Sequence, residues 1–463
     1  MKNFKSHILS LLLIIIALIA VTYPADFTII SPGITRPLIR TPGETITIEI
    51  KSSIPLWQHD WRIQLQNNEH SIQLSTHDEN AYFARHILEL NLTANIPAGK
   101  YNLVISDQHQ SHIADASIHI WPEYRDNLRI IQLADLPTFS TDGKGSGSGD
   151  AQFNQIIDEI NLINPDIVLF TGDLVYGGSW AQYYQFLRAI KNINAPIIAA
   201  PGNHEYNGWS AFLTLFGTPY HVNYFGKYNV ISLNSGHSRD QLTSSQFDWL
   251  TNTLAASKNK INIIQIHHSL HHKKGQRGYL KVRVGDMVEQ FKQHNVPIVL
   301  SGHWHGDSVW NDQGEEQTIS ANFPGIPYVV TTAAGAALRE KYSSSPLHHG
   351  YRLIRIENGH VINYTYDYDG DGEREATSSI PYGELKVDAI SELEYRISNS
   401  LNENFDNAQV IFSTEEQHSD ITTNYGKITK TSTYNSRTYY TVNFTLAAKQ
   451  TINITLSTHK KES

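Results

Sequence analysis

The sequence predicts a layered α/β domain with a β-rich module on each side of it, and three observations predict this fold class. From about residue 128, short β-branched runs alternate with segments whose apolar residues recur at helical spacing. Before this point, residues 26–122 contain short stretches that alternate at period two. Beyond about residue 379 the alternation of strands and helices stops, and a Thr-, Ser- and Asn-rich tail follows.

The N-terminus resembles a targeting segment. Lys2 and Lys5 precede an almost unbroken apolar run over residues 8–21. A basic start followed by so short a run is typical of a signal peptide, since a membrane-spanning helix needs about 20 apolar residues. We therefore predict a signal peptide over residues 1–24, with an uncleaved N-terminal anchor and membrane tether as the alternative. Either interpretation predicts a secreted or surface-anchored, extracytoplasmic protein.

Composition excludes some functions. The net charge of −9 argues against nucleic-acid binding as the main function, because such binding needs a basic face. The chain has no cysteine, so disulfides and thiolate metal sites are excluded. Four Asn-X-Ser/Thr sequons predict a glycoprotein if the organism glycosylates, the alternative being chance in an Asn- and Thr-rich chain. They begin at Asn91, Asn363, Asn443 and Asn453.

Residues 26–122 predict an immunoglobulin-like β-sandwich. Residues 45–50 and 61–65 alternate at period two, and the turn at residues 97–100 leads into another β-rich run at residues 101–105. Short strands separated by turns, without helical periodicity, are typical of such sandwiches.

Residues 127–378 predict the α/β domain. Five apolar runs are predicted strands, and four segments with helical spacing separate them. The predicted strands are residues 128–133, 167–170, 197–200, 261–266 and 298–300; the predicted helices are residues 153–163, 181–190, 244–254 and 284–294. In this fold class, active sites lie at the carboxyl ends of the strands.

Residues 379–463 predict a C-terminal β-rich accessory module. Residues 439–444 and 452–456 are predicted strands, and one helix is predicted at residues 388–398. The glycine- and serine-rich segment 143–149 predicts a flexible loop beside the first candidate ligand.

Three motifs in the central domain indicate a metal site. GDLVY at residues 172–176, GNHE at 202–205 and GHWH at 302–305 each follow an apolar run. Their Asp, Asn and His side chains are ligands for hard and borderline metal ions. Because they follow strands, they are expected to meet at one edge of the folded domain.

Residues 128–365 resemble the calcineurin-like metallophosphoesterases, and within them the purple acid phosphatases. The resemblance depends on five blocks that occur in order along the chain. They are LADLP with Asp135, GDLVY with Asp173 and Tyr176, GNHE with Asn203 and His204, IIQIHH with His267, and GHWH with His303 and His305.

The resemblance implies a β-sandwich core flanked by helices and a binuclear metal centre. Asp173 would bridge two ions, with Asp135 and His305 holding the first. Asn203, His267 and His303 would hold the second. A hydroxide shared by the ions would attack the phosphorus, and His204 would stabilise the transition state and protonate the leaving group.

One block departs from the common pattern. Most of these enzymes have a His two residues after the first Asp, where this chain has Pro137. Purple acid phosphatases also lack that His and use a Tyr three residues after the bridging Asp, where this chain has Tyr176. A phenolate ligand favours Fe(III) paired with Zn, Mn or Fe(II). The alternatives are a Zn or Mn pair, with Tyr176 a packed loop tyrosine and three protein ligands for the first metal.

Further candidate residues lie outside these motifs. His268, His271 and His272 follow the ligand His267 and are predicted to contact substrate, or else to be solvated loop histidines. Asp367, Asp369 and Asp371 open a DxDxDG pattern that predicts a calcium site, although Ser378 stands where a bidentate Glu is expected. The alternative for this pattern is a polar turn.

The predicted function is that of an extracytoplasmic hydrolase of phosphate esters with a binuclear metal centre. Phosphomonoesters are favoured as substrates, because of the Tyr176 match and because a β-sandwich precedes the catalytic domain. The alternatives are a phosphodiesterase or nucleotidase of the same fold, and a non-catalytic surface protein stabilised by metal.

Overall fold

The computed structural model describes residues 26–53, 60–136, 149–237, 241–317, 325–372, 378–415 and 421–458. The predicted signal segment, Pro137 and residues 143–148 of the predicted loop lie outside these ranges. The described chain divides into two compact units. One comprises the residues up to Gly33 with Arg40–Pro122, and the other comprises Ile34–Ile39 with the described residues from Glu123 onward. Among the described helices, none is long and apolar enough to cross a membrane.

Between residues 26 and 122, the residues that the structure describes form strands joined by turns and loops. The nine strands are β1 (Phe27–Ser31), β2 (Leu38–Arg40), β3 (Thr45–Ser52), β4 (Arg62–Gln66), β5 (Ser71–Leu74), β6 (Thr76–Tyr82), β7 (Arg85–Asn91), β8 (Gly99–Ser106) and β9 (Ser111–Ile120). One antiparallel sheet has the order β1-β3-β7-β6, and a second contains β9-β8-β4-β5. In β3, Ile46, Ile48 and Ile50 are buried while their neighbours are more exposed, so the sheet buries one face. The immunoglobulin-like assignment of this unit stays a prediction.

The α/β part of the second unit is built on two six-stranded sheets. Its strands are β10 (Asn127–Leu133), β11 (Ile167–Thr171), β12 (Ile197–Ala200), β13 (His221–Phe225), β14 (Tyr228–Leu233), β15 (Ile261–Ile266), β16 (Val299–Ser301), β17 (Ser308–Trp310), β18 (Tyr328–Val330), β19 (Gly350–Glu357), β20 (His360–Asn363) and β21 (Ile380–Pro381). One sheet has the order β12-β11-β10-β19-β20, with β21 paired to β19, and the other has the order β13-β14-β15-β16-β18-β17. The predicted layered α/β fold is confirmed in this respect.

In the described part of the chain, five α-helices cover the two sheets. They are α1 (Gly149–Ile163), α2 (Trp180–Ile190), α3 (Trp209–Phe216), α4 (Ser244–Ala256) and α5 (Val284–Gln293). Side chains of α1, α2 and α3 share a hydrophobic cluster with the first sheet, and those of α4 and α5 share another with the second sheet. Strands β11 and β15 are buried along their whole length because helices and the opposite sheet cover both of their faces.

Two buried glutamines join the sheets. Gln132 on β10 donates from Nε2 to the Ser301 carbonyl at 2.9 Å, and Gln265 on β15 donates to the Ile198 carbonyl at 3.3 Å. Each bond links the first sheet to the second and satisfies a polar group in the interior. The sheets are thereby held near the strand ends from which the candidate ligands extend.

The C-terminal residues form two antiparallel sheets. The strands are β22 (Leu385–Ser391), β23 (Glu394–Asn399), β24 (Phe405–Thr414), β25 (Ile421–Thr423), β26 (Lys427–Tyr434), β27 (Arg437–Leu446) and β28 (Thr451–Thr458). Their orders are β22-β23-β28-β25 and β24-β27-β26. Phe412 on β24 and Ile160 on α1 belong to one hydrophobic cluster. The C-terminal sheets therefore share a core with the helices on the first α/β sheet.

The helix predicted at residues 388–398 is wrong. Most of this segment forms the hairpin of β22 and β23, and β23 also pairs with β28. Its apolar residues gave a helical spacing, but pairing on both sides of β23 buries Ile397 and satisfies the backbone. Tertiary pairing thus overrides the local helix preference.

A buried carboxyl group connects α1 to the start of the C-terminal sheets. Glu159 accepts hydrogen bonds from the Tyr351 hydroxyl at 2.7 Å and from the Gly383 amide at 2.5 Å. Burial raises the pKa of Glu159 from 4.5 to about 7, although both hydrogen bonds oppose the shift. The folded protein therefore retains a proton at Glu159 at pH values where the unfolded chain has lost it.

We expect Glu159 to make the protein less stable as the pH rises from 4.5 to about 7. Because the folded-state pKa is the higher one, the protonated carboxyl stabilises the fold fully below pH 4.5, and this contribution is lost up to about pH 7. The loss is on the order of 3 kcal/mol. Glu159→Gln retains a neutral side chain of the same shape. Its melting temperature should therefore change less with pH between 4.5 and about 7 than that of the wild type. The exposed Glu289→Gln serves as the control, and equal pH slopes for all three proteins would contradict the assignment.

Candidate metal centre

The candidate ligands leave the carboxyl ends of five parallel strands. Asp135 follows β10, Asp173 follows β11, Asn203 follows β12, His267 follows β15, and His303 and His305 follow β16. Strands β10, β11 and β12 are parallel neighbours in one sheet, as are β15 and β16 in the other. Because these ends lie along one edge of the stacked sheets, ligands from distant parts of the chain meet there.

Three of the candidate ligands surround a fourth, His267. Its Nε2 atom lies 3.2 Å from Asn203 Oδ1, 3.2 Å from Asp173 Oδ2 and 3.2 Å from His303 Nδ1. The other ring nitrogen, Nδ1, is 2.8 Å from the Thr171 carbonyl, to which it can only donate. In the neutral ring this leaves the Nε2 lone pair directed at the cluster, which is the orientation of a metal-binding histidine.

A second group forms around Asp135 and shares Asp173 with the first. Ligand atoms of Asp135, Asp173 and His305 all lie within 4.8 Å of one another. His305 Nε2 is 3.3 Å from Asp135 Oδ1, and its Nδ1 donates to the Ala337 carbonyl at 2.7 Å. Asp135 Oδ1 is buried and accepts no hydrogen bond from the described residues. A buried carboxylate oxygen without a donor is an unsatisfied acceptor that a cation would satisfy.

The donor atoms of both groups fit two metal ions. Carboxylate and amide oxygens and imidazole nitrogens suit divalent or trivalent ions of borderline or hard character. Asp173 belongs to both groups, as a bridging ligand requires. Burial opposes its ionisation, but the charge of His267 and the hydrogen bond with it outweigh burial and hold the pKa of Asp173 below its ordinary value. The structure thus brings together the residues predicted for each metal, with the exception of Tyr176.

The backbone is strained at four of the ligands. Asp135, Asp173, His303 and His305 have φ angles of 51°, 52°, 70° and 54°. Residues with a Cβ rarely adopt this left-handed conformation, and such strain concentrates at functional sites where the surroundings impose it. Here it directs the ligand side chains toward one another immediately after each strand.

Glu205 holds the two central ligand loops together. Its carboxylate accepts backbone N–H bonds from Asp173 at 3.0 Å, Leu174 at 2.9 Å, Val175 at 3.3 Å and Gly202 at 2.6 Å. Glu205 is completely buried. No role for Glu205 is predicted from the sequence, although an acidic residue directly after His204 in the same motif is a visible signal.

His204 faces Asp173 from the open side of the centre. Its amide donates to Asp173 Oδ1 at 2.9 Å, and its Nδ1 donates to the Tyr176 carbonyl at 2.5 Å. Its Nε2 lies 3.8 Å from Asp173 Oδ2, and 30% of the side chain is exposed. Because Nδ1 is committed to a carbonyl, Nε2 is the atom that can exchange a proton with a bound molecule.

Tyr176 lies beside His204. The two ring centroids are 5.4 Å apart, and Tyr176 is half-buried. Within the described residues its hydroxyl makes no hydrogen bond, while its carbonyl orients His204. Its role as a metal ligand stays a prediction.

The three additional histidines lie in different surroundings. His268 is buried, with Nδ1 2.6 Å from Ser235 Oγ and its ring 4.2 Å from the His303 ring, so it supports a candidate ligand. His271 packs edge-on against Tyr328, and His272 stacks on Tyr279. The structure brings none of the three into either ligand group. Their predicted contact with substrate stays a prediction.

A buried ion pair holds the segment that carries His303 and His305. Asp307 Oδ1 accepts from Arg352 Nη2 at 2.8 Å, and both side chains are about 1% exposed. Asp307 Oδ2 accepts from the Ser379 hydroxyl at 2.6 Å, and Arg352 Nη1 donates to the Tyr364 carbonyl at 2.7 Å. The pair is surrounded by hydrogen bonds, which offset the cost of burying both charges. Sequence reasoning did not identify it because the partners are 45 residues apart.

The predicted calcium loop brings its three acids together. Asp367, Asp369 and Asp371 have carboxylate oxygens within 4.8 Å of one another. Both oxygens of Asp367 already accept backbone N–H bonds, from Gly370 at 2.7 Å and Gly372 at 3.1 Å. These bonds are also those of a polar turn, so calcium binding stays a prediction.

Comparison with known proteins identifies similar sequences. A sequence model of the family described as calcineurin-like phosphoesterase matches residues 103–307. The chain is 26% identical over 206 residues to the 3′,5′-cyclic adenosine monophosphate phosphodiesterase CpdA of Haemophilus influenzae, covering 40% of this chain and 73% of that protein. It is 30% identical over 148 residues to a probable cyclic nucleotide phosphodiesterase of Vesicomyosocius okutanii, covering 31% of this chain and 62% of that protein. It is 26% identical over 183 residues to a probable glycerophosphodiester phosphodiesterase GpdQ of Arcobacter nitrofigilis, covering 35% and 65%.

We expect Glu205→Gln to lower both stability and metal content. A glutamine offers one acceptor oxygen, and its amide group would face backbone N–H donors that are buried. Leaving such donors unsatisfied costs about 2 kcal/mol or more. The melting temperature and the number of ions per chain should both fall, whereas the exposed Glu357→Gln should change neither. Unaltered metal content in a folded Glu205→Gln protein would show that this carboxylate does not position the ligands.

Proposed function

We propose that this chain, which contains a calcineurin-like phosphoesterase domain matched over residues 103–307, is a phosphodiesterase with a binuclear metal centre. The observation that carries the proposal is the pair of ligand groups that share Asp173, with His204 beside them on the open side. A non-catalytic metal site would need the ligands but not a half-exposed histidine whose free nitrogen faces the centre.

The comparisons favour diesters over the monoesters that the sequence analysis preferred. Similar proteins are described as cyclic nucleotide and glycerophosphodiester phosphodiesterases. The preference for monoesters depended on Tyr176 as a ligand and on the order of the domains, and neither concerns the second alcohol group of a diester. A phosphodiesterase of the same fold, which was the alternative prediction from the sequence, is therefore better supported than a phosphomonoesterase.

The side chains divide the work of hydrolysis among themselves. Asp135 and His305 would hold one ion. The other ion would be held by Asn203, His267 and His303. Asp173 would bind both ions. Bound there, the ions would polarise the phosphoryl group and supply a nucleophile from water. The carbonyls of Thr171 and Ala337 fix the ring orientations of His267 and His305. Ligand positions are thus set by the backbone before any ion binds.

His204 is the proton donor in this proposal. The Tyr176 carbonyl binds its Nδ1–H, so the proton on Nε2 of the imidazolium points toward the centre. There it can donate to the oxygen of the departing alcohol, and its charge stabilises the negative charge that develops on that oxygen. The ring returns to the neutral form in the step and regains a proton from solvent, to which it is partly exposed.

Three finer assignments belong to the proposal. A phenolate from Tyr176 would select Fe(III) for the first ion, paired with Zn, Mn or Fe(II). The basic and apolar N-terminus supports an extracytoplasmic location, either secreted or tethered to a membrane. The alternating burial of the N-terminal strands supports an immunoglobulin-like module ahead of the catalytic domain.

We expect purified protein to hydrolyse bis(p-nitrophenyl) phosphate at least about tenfold more efficiently than p-nitrophenyl phosphate. His204→Ala should lower kcat for the diester by roughly 100-fold or more, as expected when a positioned group that stabilises negative charge in the transition state is removed. The number of bound ions should stay the same, because His204 is not in either ligand group.

The exposed His360→Ala provides the control for that measurement. A faster reaction with the monoester would favour the acid-phosphatase alternative. Full activity in His204→Ala would remove this residue from the mechanism. No hydrolysis of either ester by protein with two ions bound would favour the metal-stabilised surface protein.

We expect elemental analysis to find about two ions per chain in protein purified without chelator. Iron as one of them would support Tyr176 as a ligand, and Tyr176→Phe should then lose the iron selectively. Two ions without iron would retain the hydrolase but remove the Fe(III) assignment. One ion or none after reloading would contradict a binuclear mechanism.

A further inference from the structure

A basic loop lies between β15 and α5. We define the basic loop as residues 271–283, which contain no acidic residue. Its cations are Lys273, Lys274, Arg277, Lys281 and Arg283. Such a concentration of positive charge is notable in a chain whose net charge is −9. It directly follows the segment that carries His267, so its position relative to the metal centre determines what the charge does.

The basic loop is fixed to the segments that carry the ligands. The indole Nε1 of Trp304, between His303 and His305, donates to the carbonyls of Arg277 at 3.1 Å and Gly278 at 2.9 Å. The Leu280 amide donates to the Ser269 carbonyl at 2.8 Å. Because both anchor segments leave the metal-binding edge of the second sheet, the loop backbone has a defined place beside the centre.

Gly278 brings the loop into contact with a candidate ligand. It has a φ of 73°, and a Cβ at this position would overlap the imidazole ring of His303. His303 Nδ1 faces His267, so the loop backbone lies against the opposite nitrogen, Nε2. Arg277 is the residue immediately before this contact and is exposed.

The cations of the loop differ in whether they have partners. Lys273 pairs with Glu316 at 2.7 Å, and Arg283 pairs with Asp286 at 3.3 Å while covering the Phe247 ring. Arg277 and Lys274, by contrast, make no side-chain hydrogen bond or ion pair to other residues in the described ranges. The Arg277 guanidinium therefore has N–H donors available to an anion. Its backbone immediately precedes Gly278, which contacts the candidate ligand His303.

We propose that Arg277 is a specificity-determining residue that binds a second anionic group of the substrate. This inference depends on the proposed phosphodiesterase function. In the proposed function the residues of the two ligand groups would hold ions that bind the scissile phosphate, and His204 lies beside them. The Arg277 guanidinium belongs to neither group and is therefore available to a different anionic group. The preferred substrates are then phosphodiesters in which one alcohol carries a phosphate or a carboxylate, both of which an Arg binds through two parallel hydrogen bonds.

Electrostatics adds a rate effect to this binding. The overall negative charge of the chain repels polyanions, whereas the unpaired cations of the basic loop attract them locally to the centre. Since Arg277 is exposed, added salt should screen this attraction. At 0.1 M ionic strength, charges attract each other appreciably only over about 10 Å. A substrate without the second charge gains little from either effect.

Three p-nitrophenyl phosphodiesters with different second alcohols test the proposal. The alcohols are propanol, 4-hydroxybutanoate and 3-hydroxypropyl phosphate, so the scissile bond and the chromophore are the same throughout. We expect kcat/KM of the wild-type protein to be roughly tenfold higher for at least one charged ester than for the propyl ester. Comparing the two charged esters distinguishes a carboxylate from a phosphate as the preferred group.

Arg277→Ala should remove this preference while hydrolysing the propyl ester as the wild type does. Arg277→Glu should reverse it, and Arg277→Lys should restore part of it, because lysine keeps the charge but not the guanidinium donors. Lys258→Ala, at an exposed position on another part of the surface, is the control for net charge. Raising the salt concentration should reduce the wild-type preference for the charged esters over the propyl ester.

Two results would overturn the proposal. One is equal kcat/KM for all three esters in the wild type, and the other is an undiminished preference in Arg277→Ala. If the wild type with both ions bound hydrolyses none of the esters, the phosphodiesterase function itself fails. Hydrolysis of the propyl ester therefore separates failure of the function from failure of the role of Arg277.

Discussion

The buried carboxylate of Glu205 is the interaction on which the metal centre depends. It accepts backbone N–H bonds from Asp173, Leu174 and Val175 in one loop and from Gly202 in the next. These bonds hold Asp173 in a left-handed conformation that the residue would otherwise avoid. The strain is tolerated because one acceptor satisfies four buried donors. With Asp173 fixed, its two oxygens can serve both ligand groups.

Backbone groups also orient three of the histidine rings. His267, His305 and His204 each donate from Nδ1 to a main-chain carbonyl, so each presents Nε2 to the centre. The proposed difference between His267 and His305 as ligands and His204 as proton donor therefore does not come from the orientation of the rings. It comes from burial, since His267 is inaccessible whereas the side chain of His204 is 30% exposed. An exposed imidazole can exchange protons with solvent, and a buried one is better suited to hold an ion.

How much the sequence predicts depends on the range of the interactions concerned. Apolar runs followed by Asp or His predicted the strands β11, β12 and β15 and the side chains at their ends, because the fold places all such ends at one edge. The helix predicted at residues 388–398 was wrong because pairing with β28, more than fifty residues later, decides that segment. The Asp307 and Arg352 pair was invisible for the same reason. Local patterns record which side chains are present but not which distant partners satisfy them.

The charges at the centre set a requirement on any substrate. Asp135 and Asp173 are buried, and together they repel a phosphate group as long as their charge is not compensated. Two ions held by the two ligand groups would compensate this charge where a phosphate group binds between them. A second negative charge on the substrate would still meet a protein whose net charge is −9. A cation that is outside the ligand set and lacks an acidic partner would offset this repulsion at the second charge. Within the basic loop, Arg277 meets both conditions next to a ligand, whereas Lys273 and Arg283 are already paired.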